Sequence, residues 1–144
     1  MKAVAARYLA LTLLVGVSPI AASQDLSGLW KLSIRNLDHA EVSVLTIRFT
    51  DKPGQSCIVG DWKQIVVQAT KTSDPGFFPV ADALTYQVRG SELLIGRNGV
   101  CDAYLRLKGK FDGRAAEGRY YAFGLRGLTD GPKYLGEFSL SRDR

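Results

Sequence analysis

One histidine, two cysteines and no run of five like charges are what this 144-residue chain offers to the commoner site chemistries. A single imidazole, His39, cannot supply a multi-histidine metal site, and neither a CxxC nor an HxxxH spacing occurs. Nor can a Ser-His-Asp or Cys-His arrangement be assembled around it, because His39 sits in the polar turn Asn36-Leu37-Asp38-His39, where solvent exposure is its ordinary explanation. No catalytic residue, metal or cofactor is therefore expected, and the chain reads as a non-enzyme. Carboxylates such as Asp61, Asp102 and Glu117 have no pairing distance in a sequence, so a cell-envelope hydrolase stays open as a minor alternative. Gly124-x-x-Gly127 lacks the strand-to-helix context of a phosphate-cradling loop. The cations, among them Arg35, Arg48, Lys63, Arg89, Arg106, Lys108, Lys110 and Arg119, are scattered among acids, which argues against nucleic acid as a partner.

A long apolar run is also missing. The longest, Tyr8 to Val17, covers about ten residues, where a bilayer-spanning helix needs roughly 20. What surrounds it has a different meaning. Lys2 and Arg7 precede it and Ser18-Pro19-Ile20-Ala21-Ala22-Ser23 follows, which is the basic, apolar, small-residue order of a cleavable secretory signal peptide. Residues 1–23 are expected to be removed and residues 24–144 to form one exported domain, periplasmic or secreted, with no membrane span. Loss of Lys2 and Arg7 lowers the 19 Lys+Arg to 17 against 14 Asp+Glu, so the mature domain is only mildly basic. In an exported chain an even pair of cysteines reads as a disulfide, here Cys57–Cys101. It closes a loop of about 44 residues and contributes roughly 3 to 4 kcal/mol on the chain-entropy estimate.

Beyond Gln24, period-two alternation recurs between Gly, Asp, Asn and Pro. Trp30, Leu32 and Ile34 alternate with Lys31, Ser33 and Arg35, and Leu45, Ile47 and Phe49 flank Thr46 and Arg48. Leu84, Tyr86 and Val88 lead through Arg89-Gly90-Ser91 into Leu93 to Ile95. Ala103, Leu105, Leu107 and Phe111 oppose Asp102, Tyr104, Arg106, Lys108 and Lys110, and Tyr134, Gly136, Phe138 and Leu140 share a last face. The fold class is all-β: about eight short antiparallel strands in an up-and-down barrel, which removes the exposed edges of a long meander.

At Ser27-Gly28-Leu29-Trp30 the chain resembles the calycins, the lipocalins and avidins, whose barrels open with Gly-x-Trp; Leu26-Ser27-Gly28-x-Trp30 is also similar to the exported barrels by which some bacteria inhibit their own secreted metalloproteases. The resemblance implies a structural role for Trp30, packed against a basic residue after the last strand, here Arg142.

Alternate connections of such a barrel share an end. Connections 36–41, 71–83, 97–100 and 124–133 then lie at one mouth and 51–55, 89–91 and 112–115 at the other. The disulfide conflicts with this arrangement, because Cys57 would begin the third strand and Cys101 the sixth at opposite ends, yet bridged Cα atoms lie within about 7 Å. A hairpin turn at Gly60-Asp61, making Cys57-Ile58-Val59 and Trp62 to Ala69 separate strands, is one escape. Under either count the long loops share an end, where Phe77 and Phe78 form either a hydrophobic plug or a lid and contact surface, rimmed by Arg97, Asn98, Arg126 and Asp130. The expected function is binding a protein partner through these loops, as an inhibitor or immunity-type protein. The alternative is a lipocalin-like carrier of a small apolar ligand, for which the bulky inward candidates leave little room.

Overall fold

The computed structural model describes residues 25–101, 104–124 and 131–143; the expected signal peptide lies outside them. Eight strands follow in order: β1 Trp30–Asn36, β2 Glu41–Pro53, β3 Lys63–Thr72, β4 Leu84–Arg89, β5 Glu92–Arg97, β6 Tyr104–Phe111, β7 Ala115–Phe123 and β8 Lys133–Arg142. Each pairs antiparallel with its neighbour, and β8 pairs back onto β1 from Trp30↔Arg142 to Asn36↔Gly136, closing the barrel. The up-and-down barrel expected from the alternation is the fold.

The physical cause is the alternation itself: with a side-chain period of two, one face of every strand points inward. Trp30, Leu32, Ile34, Leu45, Ile47, Leu84, Leu93, Ile95, Leu107, Phe111, Tyr120 and Leu140 are all fully buried, so the interior is filled by side chains. At one end Trp30 meets Phe49 and Phe111 edge-on, with centroids 6.0 and 5.8 Å apart, and Phe49 meets Tyr86 at 4.7 Å. Gly109 and Gly118 face each other across β6 and β7, where an added Cβ on either would strike the neighbouring backbone and the Phe138 ring lies close to Gly109. Glycine there lets a large ring from β8 cross the narrow interior.

Two local expectations are corrected. Tyr134 does not share the face of Gly136, Phe138 and Leu140: the register slips between Tyr120↔Gly136 and Tyr121↔Tyr134, a bulge that leaves Leu135 as the extra residue. Tyr134 is consequently exposed, its ring 6.0 Å from that of Tyr121, while Leu135 packs against the core. The second correction concerns the cysteines. Residues 54–62 form neither the start of a third strand nor a separate short one; β3 begins only at Lys63.

That correction has its origin in strand stagger. The register pairs Pro53 with Lys63 and Lys63 with Tyr86, so the β2–β3 connection leaves the sheet beside the middle of β4 and not at its end. Treating the strands as level put the cysteines at opposite ends; the shear of a closed barrel removes that separation. Cys57 and Cys101 are bonded, with Cα atoms 5.4 Å apart. Such a bond is compatible with an oxidising, exported environment.

Candidate functional site

The connections 37–40 and 73–83, with residues 98–101, 124 and 131–132, lie at one end of the barrel, and 54–62, 90–91 and 112–114 begin at the other. At the first end, Phe77 and Phe78 act as a plug. Asp74 organises the turn, its carboxylate accepting the Gly76 N–H at 2.9 Å and its carbonyl the Phe77 N–H at 3.2 Å, which turns both rings inward. Phe78 is buried, Phe77 packs on the core, and both rings stand edge-on to Tyr120, 5.6 and 5.4 Å away. The Tyr120 hydroxyl donates to the Phe77 carbonyl at 2.7 Å, and burial pushes that phenol far above its ordinary pKa.

The remaining described rim residues are also engaged within the fold. Arg97 is ion-paired with Asp82 at 2.5 Å and largely covered. Asn98 turns its side-chain oxygen to the Gln55 N–H at 2.7 Å. Arg126 and Asp130 lie outside the described residues. At the end chosen from loop length the two rings are thus committed to the core, and the described polar side chains are engaged by Asp82 and by Gln55.

Asn98 leads to the feature that sequence reasoning missed. Residues 54–62 fold over the outer face of β4 and β5 as a strap. Three of its carbonyls are held from beneath by β4, Gln55 by the Thr85 hydroxyl at 3.3 Å, Asp61 by the Gln87 amide at 3.3 Å and Val59 by the Arg89 guanidinium at 3.0 Å, and within the strap the Trp62 indole donates to the Ile58 carbonyl at 2.8 Å. Beneath it lies a second apolar layer on the outside of the barrel. Trp62, Leu94, Tyr104 and Thr85 are buried there although none belongs to the interior cluster. The Tyr104 hydroxyl lies over Gly96, where any side chain would collide with it, and lies 3.1 Å from the Ser56 hydroxyl. Burial raises its pKa. The Cys57–Cys101 bond ties the outer bend of the strap to the β5–β6 connection. At its tip Val59 is 92% exposed, far more than any other large apolar side chain described. A buried polar face on β4 (Thr85, Gln87) was the available sequence signal: Leu84-Thr85-Tyr86-Gln87-Val88 alternates like a strand with one side in water, and that water is displaced by the strap.

The opposite end of the barrel is closed by Trp30 and Arg142. Residues Asp25 to Gly28 cross beneath the barrel, and the Trp30 indole donates to the Leu26 and Ser27 carbonyls at 3.1 and 3.2 Å. The Arg142 guanidinium lies 4.7 Å over the Trp30 ring and donates to the carbonyls of Ser27 and Asp25 at 2.7 and 2.9 Å. Hydrogen bonds from Ser27, with Arg142 adding to them, hold the Asp25 carboxyl below its usual pKa. Between this segment, β2 and the ends of β3 and β4 opens a cleft of about 1260 Å³, lined by Leu26, Arg48, Phe49, Lys63, Tyr86, Val88 and Arg89 among others. Lys63 is bonded to Asp51 at 2.6 Å, which raises its pKa.

Comparison with family models, curated proteins and solved structures finds no match to this chain. The barrel is consistent with the calycin resemblance at the level of architecture. The carboxylates Asp61, on the strap, and Glu117, on β7, are on separate elements, and Asp102 lies outside the described residues. His39 faces Glu137 at 3.5 Å, with its side chain open to water.

Proposed function

We propose that this chain is an exported, non-enzymatic barrel that binds a protein partner, in an inhibitor or immunity-type role, and that the strap of residues 54–62 is the element that meets it. The observation carrying this reading is Val59, a nearly fully exposed apolar side chain at the tip of a loop that is covalently tied at Cys57 and held by scaffold donors at three carbonyls. A loop already ordered before it binds does not pay its conformational entropy on association, so its contact area converts to affinity more completely. The filled interior supports the same reading over enclosure of an apolar ligand, because recognition is then left to the surface. The loop end bearing Phe77 and Phe78 supports it less, since those rings are committed to the core.

The test compares tagged wild type with Val59→Asp for crosslinked complexes recovered from the exported fraction of the producing cell. Val59 has no buried partner to lose, so both proteins are expected to melt alike while the variant loses at least about tenfold in recovery of its specific complex, as for a charge placed in an apolar pocket. Equal recovery by two equally folded proteins refutes the strap as the binding element.

A further inference from the structure

One seam of the barrel is only partly closed. Strand β3 is 10 residues long, yet it pairs with β4 only from Lys63↔Tyr86 to Ile65↔Leu84. On its other side it stays paired with β2 as far as Ser43↔Thr72. Residues 66–72 are therefore an open edge, and the bond from the Ser73 N–H to the Val42 carbonyl at 2.9 Å sets its phase. An antiparallel ladder bonds every second pair, so Ala69 and Lys71 turn their main-chain groups to β2 while Thr70 and Thr72 turn theirs to the open side. Among the described residues, no main-chain group of the β3–β4 connection bonds to those of Thr70 or Thr72. A cleft of about 450 Å³ runs along this edge, with Val67, Gln68 and Thr70 on one side and Val80 and Ala83 on the other. Val67 and Val80 pack against the core, and Thr70, which shares the face of buried Leu45, is itself exposed.

We infer that this edge takes up an extended segment of a protein partner as an added antiparallel strand, bonded to the main chain of Thr70 and Thr72. Its alternate side chains, β-branched or apolar, turn toward Val67 and Val80, and an acid on its other face stands beside Lys71. A row of unmet main-chain donors and acceptors is matched by another extended main chain, whose ladder gives affinity while the alternate side chains give specificity. Lys71 is exposed and has no ion pair among the described residues, so an acid there meets a free charge. A second copy of this barrel fits the edge less well. The extra residue at Gln68, between Thr46↔Ala69 and Ile47↔Val67, bends the edge and Lys71 stands on it, two devices that oppose edge-to-edge pairing of folded sheets. A separate segment can follow the bend. The surface is distinct from the strap, which ends where β3 begins at Lys63, and the inference does not rest on Val59.

The probe is a phage-displayed library of random ten-residue peptides panned on the disulfide-bonded protein, with an enriched peptide then synthesised and titrated. Saturable binding is expected, with hydrogen exchange slowed at the Thr70 amide and little changed at the Lys71 amide, which β2 already holds. N-methylation of one alternate set of peptide amides should weaken binding at least about tenfold, and of the other set less, the period-two mark of main-chain pairing. Thr70→Pro removes the edge-facing N–H and no bond to β2, so it should melt close to wild type and bind the peptide at least about fivefold more weakly. Should that variant melt lower, the N-methyl series on wild type decides alone. Val59→Asp should bind the peptide like wild type, which keeps failure here distinguishable from failure of the strap. No saturable peptide, N-methyl effects without alternation, equal binding by a stably folded Thr70→Pro, or exchange slowed at the strap in place of Thr70 would each overturn the inference. So would a dimer of the free protein with the Thr70 amide already protected, which would make the occupant a second copy.

Discussion

Two connections of this barrel carry apolar side chains that ordinary turns do not, and the barrel uses them in opposite ways. The β3–β4 connection sends Phe77 and Phe78 into the mouth and stops it against Tyr120. The β2–β3 connection wraps the outside, where Trp62, Leu94 and Tyr104 are buried apart from the interior cluster, and leaves Val59 in water. Both are loops by backbone, yet one completes the first core and the other builds a second. The comparison teaches that a loop's length says little about its exposure: the long plug loop buries its rings, and the strap, whose apolar residues look like strand, leaves Val59 in water.

The sharpest way to break the comparison is Phe78→Ala. If the ring is core, its loss costs about 3 to 5 kcal/mol, read as a fall in the urea midpoint at unchanged slope. A cost below about 1 kcal/mol would return Phe78 to the class of lid residues and reopen that end as a site. Next in size is removal of the tether. Cys57→Ala/Cys101→Ala should cost about 3 to 4 kcal/mol by restoring entropy to the unfolded chain, with hydrogen exchange rising first at strap amides such as Gln55 and not at the interior strands. Uniform loss of protection would mean that the strap is not a separate layer.

The smallest effect separates hydrogen bonding from packing at the plug. Tyr120→Phe keeps the ring against Phe77 and Phe78 and removes only the bond to the Phe77 carbonyl, costing about 1 kcal/mol at pH 7. Burial raises the Tyr120 pKa in the folded protein, so the neutral phenol's contribution is whole below the unfolded value of about 10 and is lost as pH rises toward the folded one. Above pH 10 the stability of Tyr120→Phe should therefore decline less steeply than that of wild type. Parallel declines would place the alkaline loss on other buried tyrosines, Tyr86 and Tyr104, whose pKa values are raised by burial as well.

Much of the fold was legible because alternation is a local property. Trp30-Lys31-Leu32-Ser33-Ile34 declares an inner face without reference to any other strand, and the same holds for β2, β4 and β6. The disulfide was legible from cysteine count and the expected signal peptide. The bulge at Tyr121 was not, because Tyr134 and Leu135 read equally well in either register and only pairing with β7 chooses. The candidate sites were the least legible. Cys57-Ile58-Val59-Gly60 has the composition of a strand, and nothing near it in sequence reveals that Arg89 holds the Val59 carbonyl, and Gln87 that of Asp61, from far along the chain.

The sequence by itself determined most of the inward faces, that about eight strands follow one another antiparallel, and that the two cysteines pair, since all three rest on local periodicity or on the count of a reactive residue. Only the tertiary structure decided where the connections lie. Closing eight strands requires them to tilt and slide, and that stagger sets Lys63 beside Tyr86, carries the strap across β4, brings Cys57 to Cys101 and leaves a cleft at the end where no long loop was expected. Stagger is a property of the closed sheet as a whole, and no single strand encodes it.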